Sequence, residues 1–475
     1  MNQRGTTSPD SPPPEGKTYH ASAKDMRRIL FSSFLGTAVE YYDFILYATA
    51  AGIVFNQVFF AGLDPNVAIF VSFGTLAVGY VARPLGGLLF GNLGDRIGRK
   101  AILITTVLAM GIASTLIGLL PTTAQIGVWA PILLVTLRIF QGLAVGGEWG
   151  GAMLLAFENS KKSSRGFAAS FAYMGAPAGT ILGTLILSAM STLPKEQFLT
   201  WGWRVPFVFS AVLMMLAIFI RMKVSESRVF TEVSEASKKS KKRIPIAELF
   251  QHHRKPLLIA VLSGLSGQMA QGLMGAWAIS FAVQQAILAQ TEVLNIKAIG
   301  GVFTILAIIV ASKLSDRLGR RKILIWGNIG AIALAFPVMA LLDMGNTVAF
   351  MLSIVLGLSL IQGFTSGPYG AFAGELFPTS VRYSGTSIGY QLASTLGAGF
   401  TPMIATALVI AGGGDLWLVA LLWMSFSAMS LTALIWSKDR SGSDIEHLDA
   451  DMGVASIANP EPSALRENSR AVIQN

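Results

Sequence analysis

Apolar positions in this chain gather in long runs separated by short polar breaks, without the two-residue alternation of a strand or the narrow stripe of a soluble helix. The runs fall near 29–55, 67–90, 101–120, 128–157, 167–192, 203–222, 256–287, 296–312, 323–342, 347–372, 386–411 and 416–437. Each approaches or exceeds the about 20 helical residues that cross the hydrocarbon of a bilayer. The pattern predicts an all-α membrane protein with twelve transmembrane helices. Residues 1–28 are polar and proline-bearing and read as a disordered cytoplasmic segment. They hold no short apolar core before a small-residue cleavage site, so a removable signal peptide is not expected. Residues 438–475 lack a heptad repeat and read as a disordered tail.

Beneath the hydropathy lies a duplication. "GDRIGRKAILI" at 94–104 aligns without gaps on "SDRLGRRKILI" at 315–325, an offset of 315 − 94 = 221. The same offset carries Gln141-Gly142 onto Gln362-Gly363, and an offset of 217 carries Glu158 and Arg165 onto Glu375 and Arg382. Landmarks in matching order predict two pseudo-symmetric six-helix bundles, 29–222 and 256–437, joined by the basic linker 223–255.

Charge orients the bundles. With the amino terminus inside, the inner segments collect Lys24, Arg27, Arg28, Arg96, Arg99, Lys100, Lys161, Lys162 and ten basic residues from Arg221 to Lys255, then Lys313, Arg317, Arg320, Arg321 and Lys322. The outer loops are left with Lys195, Lys297 and, at a helix mouth, Arg204. Both termini are therefore expected in the cytoplasm of a bacterial inner-membrane protein. This topology and anionic lipid account for the formal charge of +10, and no nucleic-acid partner is needed to explain it. With 52% hydrophobic and 13% charged residues, the chain has too little polar surface for a soluble multidomain protein. Cysteine is absent, which excludes disulfides and thiolate metal sites. No metal or cofactor is expected, no Walker-type phosphate loop is present, and no catalytic constellation points to an enzyme.

The first run contains "GTAVEYYDF", with Glu40 and Asp43 on one helical face and Tyr47 extending it. Each acid costs about 2.5 to 3.5 kcal/mol at the centre of a bilayer helix. By helical rise Asp43 lies about 22 Å and Glu40 about 18 Å from the inner edge, and Arg138 about 15 Å from the outer one. Asp43 and Arg138 are thus expected at one depth, where they invite pairing. A permanent structural pair and a titrating one both fit this placement. His20, His252, His253 and His447 all lie in inner segments, so proton handling falls to Asp43, Glu40 and Glu148, with Arg138 as cation. Glu148 and Arg83 reach similar levels and form a candidate second pair, although Arg83 could equally snorkel to the surface.

Taken together, "GNLGDRIGRK" with its later copy, "RIFQGLAVGGEWGG", "VEYYDFILY", "VARPLGGLLFG", "WGWRVPF" and "GELFPTSVRYSG" resemble the major facilitator superfamily. More narrowly, they resemble its metabolite:proton symporters, carriers of shikimate, 2-oxoglutarate, citrate, and proline or betaine. The resemblance implies alternating access between two bundles. It also implies that an acid on the first helix and the arginine of the "RIFQG" motif couple the proton, roles carried here onto Asp43 and Arg138. It implies a latch on the inner side. Asp95, in a loop with Gly91, Arg96, Gly98 and Arg99, would meet the start of the eleventh helix beside Arg382, which the repeat pairs with Glu375. By the repeat, Asp316, with Arg317 and Arg320, would meet the fifth helix beside Arg165, which the repeat pairs with Glu158.

Substrate sites in this architecture lie near mid-membrane between the halves. Polar side chains in apolar helices supply the candidates: Tyr42, Tyr47, Arg83 and Gln141 in the first half, and Gln268, Gln271, Trp277, Asn328, Gln362, Tyr369, Tyr390 and Gln391 in the second. Helix-to-helix hydrogen bonding is the alternative for each amide. Arg83 and Arg138 favour a small organic acid, imported with protons by a monomer. Two alternatives remain. One is a proton-driven antiporter or exporter, because "YMGAPAGTILG" partly resembles an antiporter pattern. The other is a carrier of a zwitterionic osmoprotectant.

Overall fold

The computed structural model describes residues 23–97, 99–146, 149–223, 245–379 and 381–441. Twelve helical spans cross it in order: α1 (Met26–Val58), α2 (Pro65–Ile97), α3 (Arg99–Leu119), α4 (Trp129–Val145, continued by Trp149–Glu158), α5 (Arg165–Met190) and α6 (Arg204–Lys223). The second half follows as α7 (Arg254–Gln284), α8 (Gln290–Leu318), α9 (Arg320–Asp343), α10 (Thr347–Glu375), α11 (Arg382–Ala411) and α12 (Trp417–Trp436). Ten are long and apolar enough to cross a bilayer. In α3 and α4 the apolar stretches are shorter, Ile104–Leu119 and Trp129–Val145. Helix starts at Ala23, inside the expected disordered segment, and Pro245–His252 is helical inside the expected linker. Hydropathy misses both because a polar turn that projects past the hydrocarbon can still be helical.

The duplication is legible in the packing. Within the first half α1 packs on α5, α2 on α4 and α3 on α6; within the second, α7 packs on α11, α8 on α10 and α9 on α12. Between the halves α5 meets α8 and α2 meets α11, two contacts that exchange under the same pseudo-twofold. A π turn interrupts α1 at Ala51–Phe55 and α7 at Leu273–Trp277, at matching repeat positions. With neighbouring side chains as apolar as lipid, close backbone approach carries much of the association. A Cβ on Gly146 would lie 2.0 Å from the Arg83 carbonyl oxygen of α2, and one on Gly179 2.2 Å from the Ala38 carbonyl oxygen of α1. Arg204, at the start of α6, caps α3 by donating to the carbonyls of Gly118 (2.9 Å) and Leu120 (2.6 Å).

The end of the molecule that holds Arg165, Asp316 and Arg320 is called the lower end below, and the end that holds Val58 and Gln290 the upper end.

Candidate functional site

Asp43 is buried on α1, and its carboxylate is held by hydroxyls before it reaches a cation. Ser210 of α6 donates to Oδ1, and the Ser114 side chain of α3 is hydrogen-bonded to the same carboxylate. Ser114 Oγ in turn accepts from Gln141 Nε2 at 2.6 Å, and Gln141 Oε1 accepts from Arg138 Nη1. Asp43 and Arg138 thus lie within electrostatic reach but are joined through Gln141 and Ser114 rather than in the direct contact that equal depth suggests. Helical spacing places residues at one level; it does not fix the rotation that would bring two side chains into contact.

Arg138 is fully buried, and its guanidinium sits 4.0 Å from the ring centres of both Phe44 and Tyr47. Aromatic faces replace part of its lost hydration. Gly79 makes room for it, since a Cβ there would lie 2.3 Å from Arg138 Nε. Tyr47 donates to Thr75 Oγ1 of α2 at 2.7 Å. Glu40, one turn below Asp43, is also buried, and both acids line a narrow cleft with Gly111 of α3 and Met214 of α6.

A tyrosine seam joins the halves at this level. The hydroxyls of Tyr41 (α1) and Tyr390 (α11) are hydrogen-bonded to each other, and Gln268 of α7 also binds Tyr390. Tyr173 of α5 packs edge-on against Tyr369 (6.4 Å) and Tyr390 (6.1 Å). Arg83 lies 3.6 Å from the Phe44 ring centre and 4.4 Å from that of Tyr80, with Tyr41 and Tyr390 in electrostatic reach of both Arg83 and Glu40. Arg83 is buried here and does not snorkel. Gln391 donates to the Gly146 carbonyl at 3.3 Å and Thr395 to the Tyr80 carbonyl at 2.9 Å, both across the interface.

The remaining expected site residues bond or stack within their own half, Tyr369 in addition to its packing on Tyr173. Tyr42 turns into the first bundle and donates to the Pro206 carbonyl at 2.7 Å. Gln362 donates to Gln271 Oε1 at 3.3 Å within the second bundle, Asn328 to the Leu324 carbonyl of its own helix at 2.8 Å, and Tyr369 to the Ala260 carbonyl at 2.8 Å. Trp277 stacks on Phe281 at 5.2 Å.

At the lower end Asp316 accepts from the backbone N–H groups of Gly166 (2.8 Å) and Phe167 (2.9 Å), in the first turn of α5. A carboxylate on a helix amino terminus is favourable by about 0.3–1 kcal/mol at an exposed site. Arg320 bridges Asp316 (3.3 Å) to Glu375 (3.1 Å), and Arg165 lies in electrostatic reach of Glu375. Arg382 meets Glu158 across the halves at 3.5 Å and donates to the carbonyls of Gly374 and Phe377. Arg317 is exposed. For the first copy of the loop, Gly98 lies outside the described residues, as do the side chains of Asp95, Arg96 and Arg99, while Gly91 is within α2; Glu148 of the fourth helix, the expected partner of Arg83 and third proton-handling acid, also lies outside them.

Sequence reasoning passed over Tyr41, Tyr173, Ser114, Ser210 and Thr75, because hydroxyls are common in apolar helices and nothing in their spacing marks these five. It also passed over Lys297. Expected in an outer loop, Lys297 is fully buried within α8 and donates to Thr49 Oγ1 of α1 at 2.6 Å.

Twelve apolar helices in two repeated bundles, with Asp43 and Arg138 buried inside the first bundle and Lys297 buried between the two, define a polytopic membrane transporter. Residues 33–402 match the model of the Major Facilitator Superfamily, and the chain belongs to that family. It is 38% identical over 414 residues to the shikimate transporter of Escherichia coli (strain K12), covering 87% of this chain and 94% of the relative. It is 41% identical over 417 residues to the inner membrane metabolite transport protein YhjE of the same organism, covering 85% and 93%. The fold matches a D-xylose-proton symporter with a TM-score of 0.67 at 19% identity, over 88% of this chain and 98% of the other.

Proposed function

We propose that this protein imports a small organic acid together with protons, by alternating exposure of a site between its halves, with both termini and the lower end in the cytoplasm and the chain working as a monomer. The observation that carries the reading is the buried relay from Asp43 through Ser114 and Gln141 to Arg138. A carboxylate served by hydroxyls can be satisfied in either protonation state, because Ser114 and Ser210 can donate to a carboxylate or accept from a carboxylic acid. Taking up a proton removes the negative charge that Arg138 faces and so changes the balance between conformations. Arg138, buried within the first bundle, and Arg83, buried in electrostatic reach of Tyr390 at the interface, supply cationic character for an anion. The name of the shikimate relative supports a carboxylate as cargo. The helix α5 stretch "YMGAPAGTILG", which raised antiport, has a packing explanation in the close approach of Gly179 to α1.

The test is reconstitution in liposomes with an inward proton gradient and labelled shikimate, 2-oxoglutarate, citrate and proline betaine. Accumulation of one acid that a protonophore removes is the expected result. Accumulation of proline betaine alone, or proton entry coupled to solute extrusion, would replace the reading.

A further inference from the structure

Lys297 places a fully buried side-chain amino group against Thr49 of α1, a group with three donors to satisfy when it carries its proton. Among the described residues it has one hydrogen-bond acceptor, Thr49 Oγ1, and no carboxylate in ion-pair range. Thr49 itself already donates to the Ile45 carbonyl at 2.7 Å. The contact joins α8 to α1, one helix from each half, so the ammonium lies on the interface that opens and closes. It also lies beneath a seal. Ser280 Oγ and Gln284 Nε2 of α7 both donate to the Gly52 carbonyl of α1, at 2.7 and 3.0 Å, nearly one turn above Thr49. Asp43 is six residues below Thr49 on the same helix, a rise of about 9 Å. By depth, Lys297 lies between these hydrogen bonds and Asp43, on the face of α1 that meets the second half, whereas Asp43 faces α3 and α6.

A cation buried without a counter-charge is costly, and removing it for an apolar side chain of similar length is commonly neutral or stabilising. A staple between α1 and α8 would be served as well by a neutral donor. What an ammonium adds is a strong, non-directional hold on an anion, with two N–H donors still available. We propose that Lys297 docks the carboxylate of the transported acid at the upper end of the path, above the proton-coupling relay. This inference rests on the organic-acid reading and adds to it the group that recognises the charge.

The test uses the full chain in liposomes with labelled shikimate, 2-oxoglutarate and citrate, comparing wild type with Lys297→Met and Lys297→Arg. Lys297→Met should raise the KM for the transported acid by about tenfold or more, the scale of one charge-assisted contact. The purified variant should unfold at the same temperature as wild type or a higher one. Lys297→Arg, which keeps the charge, should transport the acid better than Lys297→Met. Wild-type uptake with an unchanged KM in Lys297→Met overturns the inference alone. Lowered unfolding temperatures with loss of uptake in both variants would make Lys297 a structural staple and also overturn it. No uptake of any acid by wild type overturns the organic-acid reading and this inference with it.

Discussion

A direct Asp43–Arg138 ion pair would hold two opposite charges in permanent contact, and separating them in a low-dielectric interior would be expensive. Two neutral side chains between the charges weaken that hold while keeping each hydrogen-bonded. Asp43→Asn keeps the shape and one acceptor oxygen but cannot change charge. Gradient-driven accumulation of substrate should therefore disappear, while exchange of labelled for unlabelled substrate across the membrane persists. Accumulation at the wild-type level would remove Asp43 from the coupling step. At this scale the sequence is informative about charge and nearly silent about hydroxyls. Glu40, Asp43, Arg83 and Arg138 stand out because each is anomalous in an apolar run. Ser114, Ser210 and Thr75 acquire meaning only through the side chain each one faces. Lys297 was misread because the polar turn "QTEVLNIK" looks like loop, whereas α8 begins at Gln290 and carries that turn into the interior.

Helices here are positioned by what they lack. Gly179 lets α5 lie against the backbone of α1, and replacement by Leu puts a side chain where the Ala38 carbonyl now sits. Overpacking of this kind costs about 1–3 kcal/mol, so Gly179→Leu should lower the unfolding temperature in detergent by several degrees. Gly74→Ala is the control: its Cβ would meet no atom nearer than Met403 Sδ at 3.8 Å, and the unfolding temperature should stay within a degree or two of wild type. An unfolding temperature for Gly179→Leu equal to that of the control would show that the α1–α5 contact is looser than described. The glycines themselves are visible in the sequence, but the helix each one admits is not. The π turns of α1 and α7 were likewise not foreseen, since an extra residue in a helical turn leaves hydropathy unchanged.

The two halves touch most extensively through α5 with α8 and α2 with α11, and any exposure of a central site must break part of one end. At the upper end Ser188 Oγ of α5 donates to Asn295 Oδ1 of α8 at 2.7 Å. Because the natural chain has no cysteine, Ser188→Cys with Asn295→Cys gives a clean cross-link. Oxidation should abolish uptake and reduction should restore it. Undiminished uptake in the oxidised, cross-linked protein would mean that this end does not open during transport. The sequence by itself determined the count of spans, the duplication and the identity of the buried acids and arginines. Those features are one-dimensional: bilayer thickness sets the length of an apolar run, gene duplication leaves an alignable offset, and a charge in such a run is conspicuous wherever it points. Only the tertiary structure decided that Asp43 reaches Arg138 through two intermediaries, that Tyr42 turns away from the interface while Tyr41 faces it, and that Lys297 is buried. Those outcomes depend on the rotation of each helix about its axis and on how closely its neighbours approach, which many small packing contacts fix together.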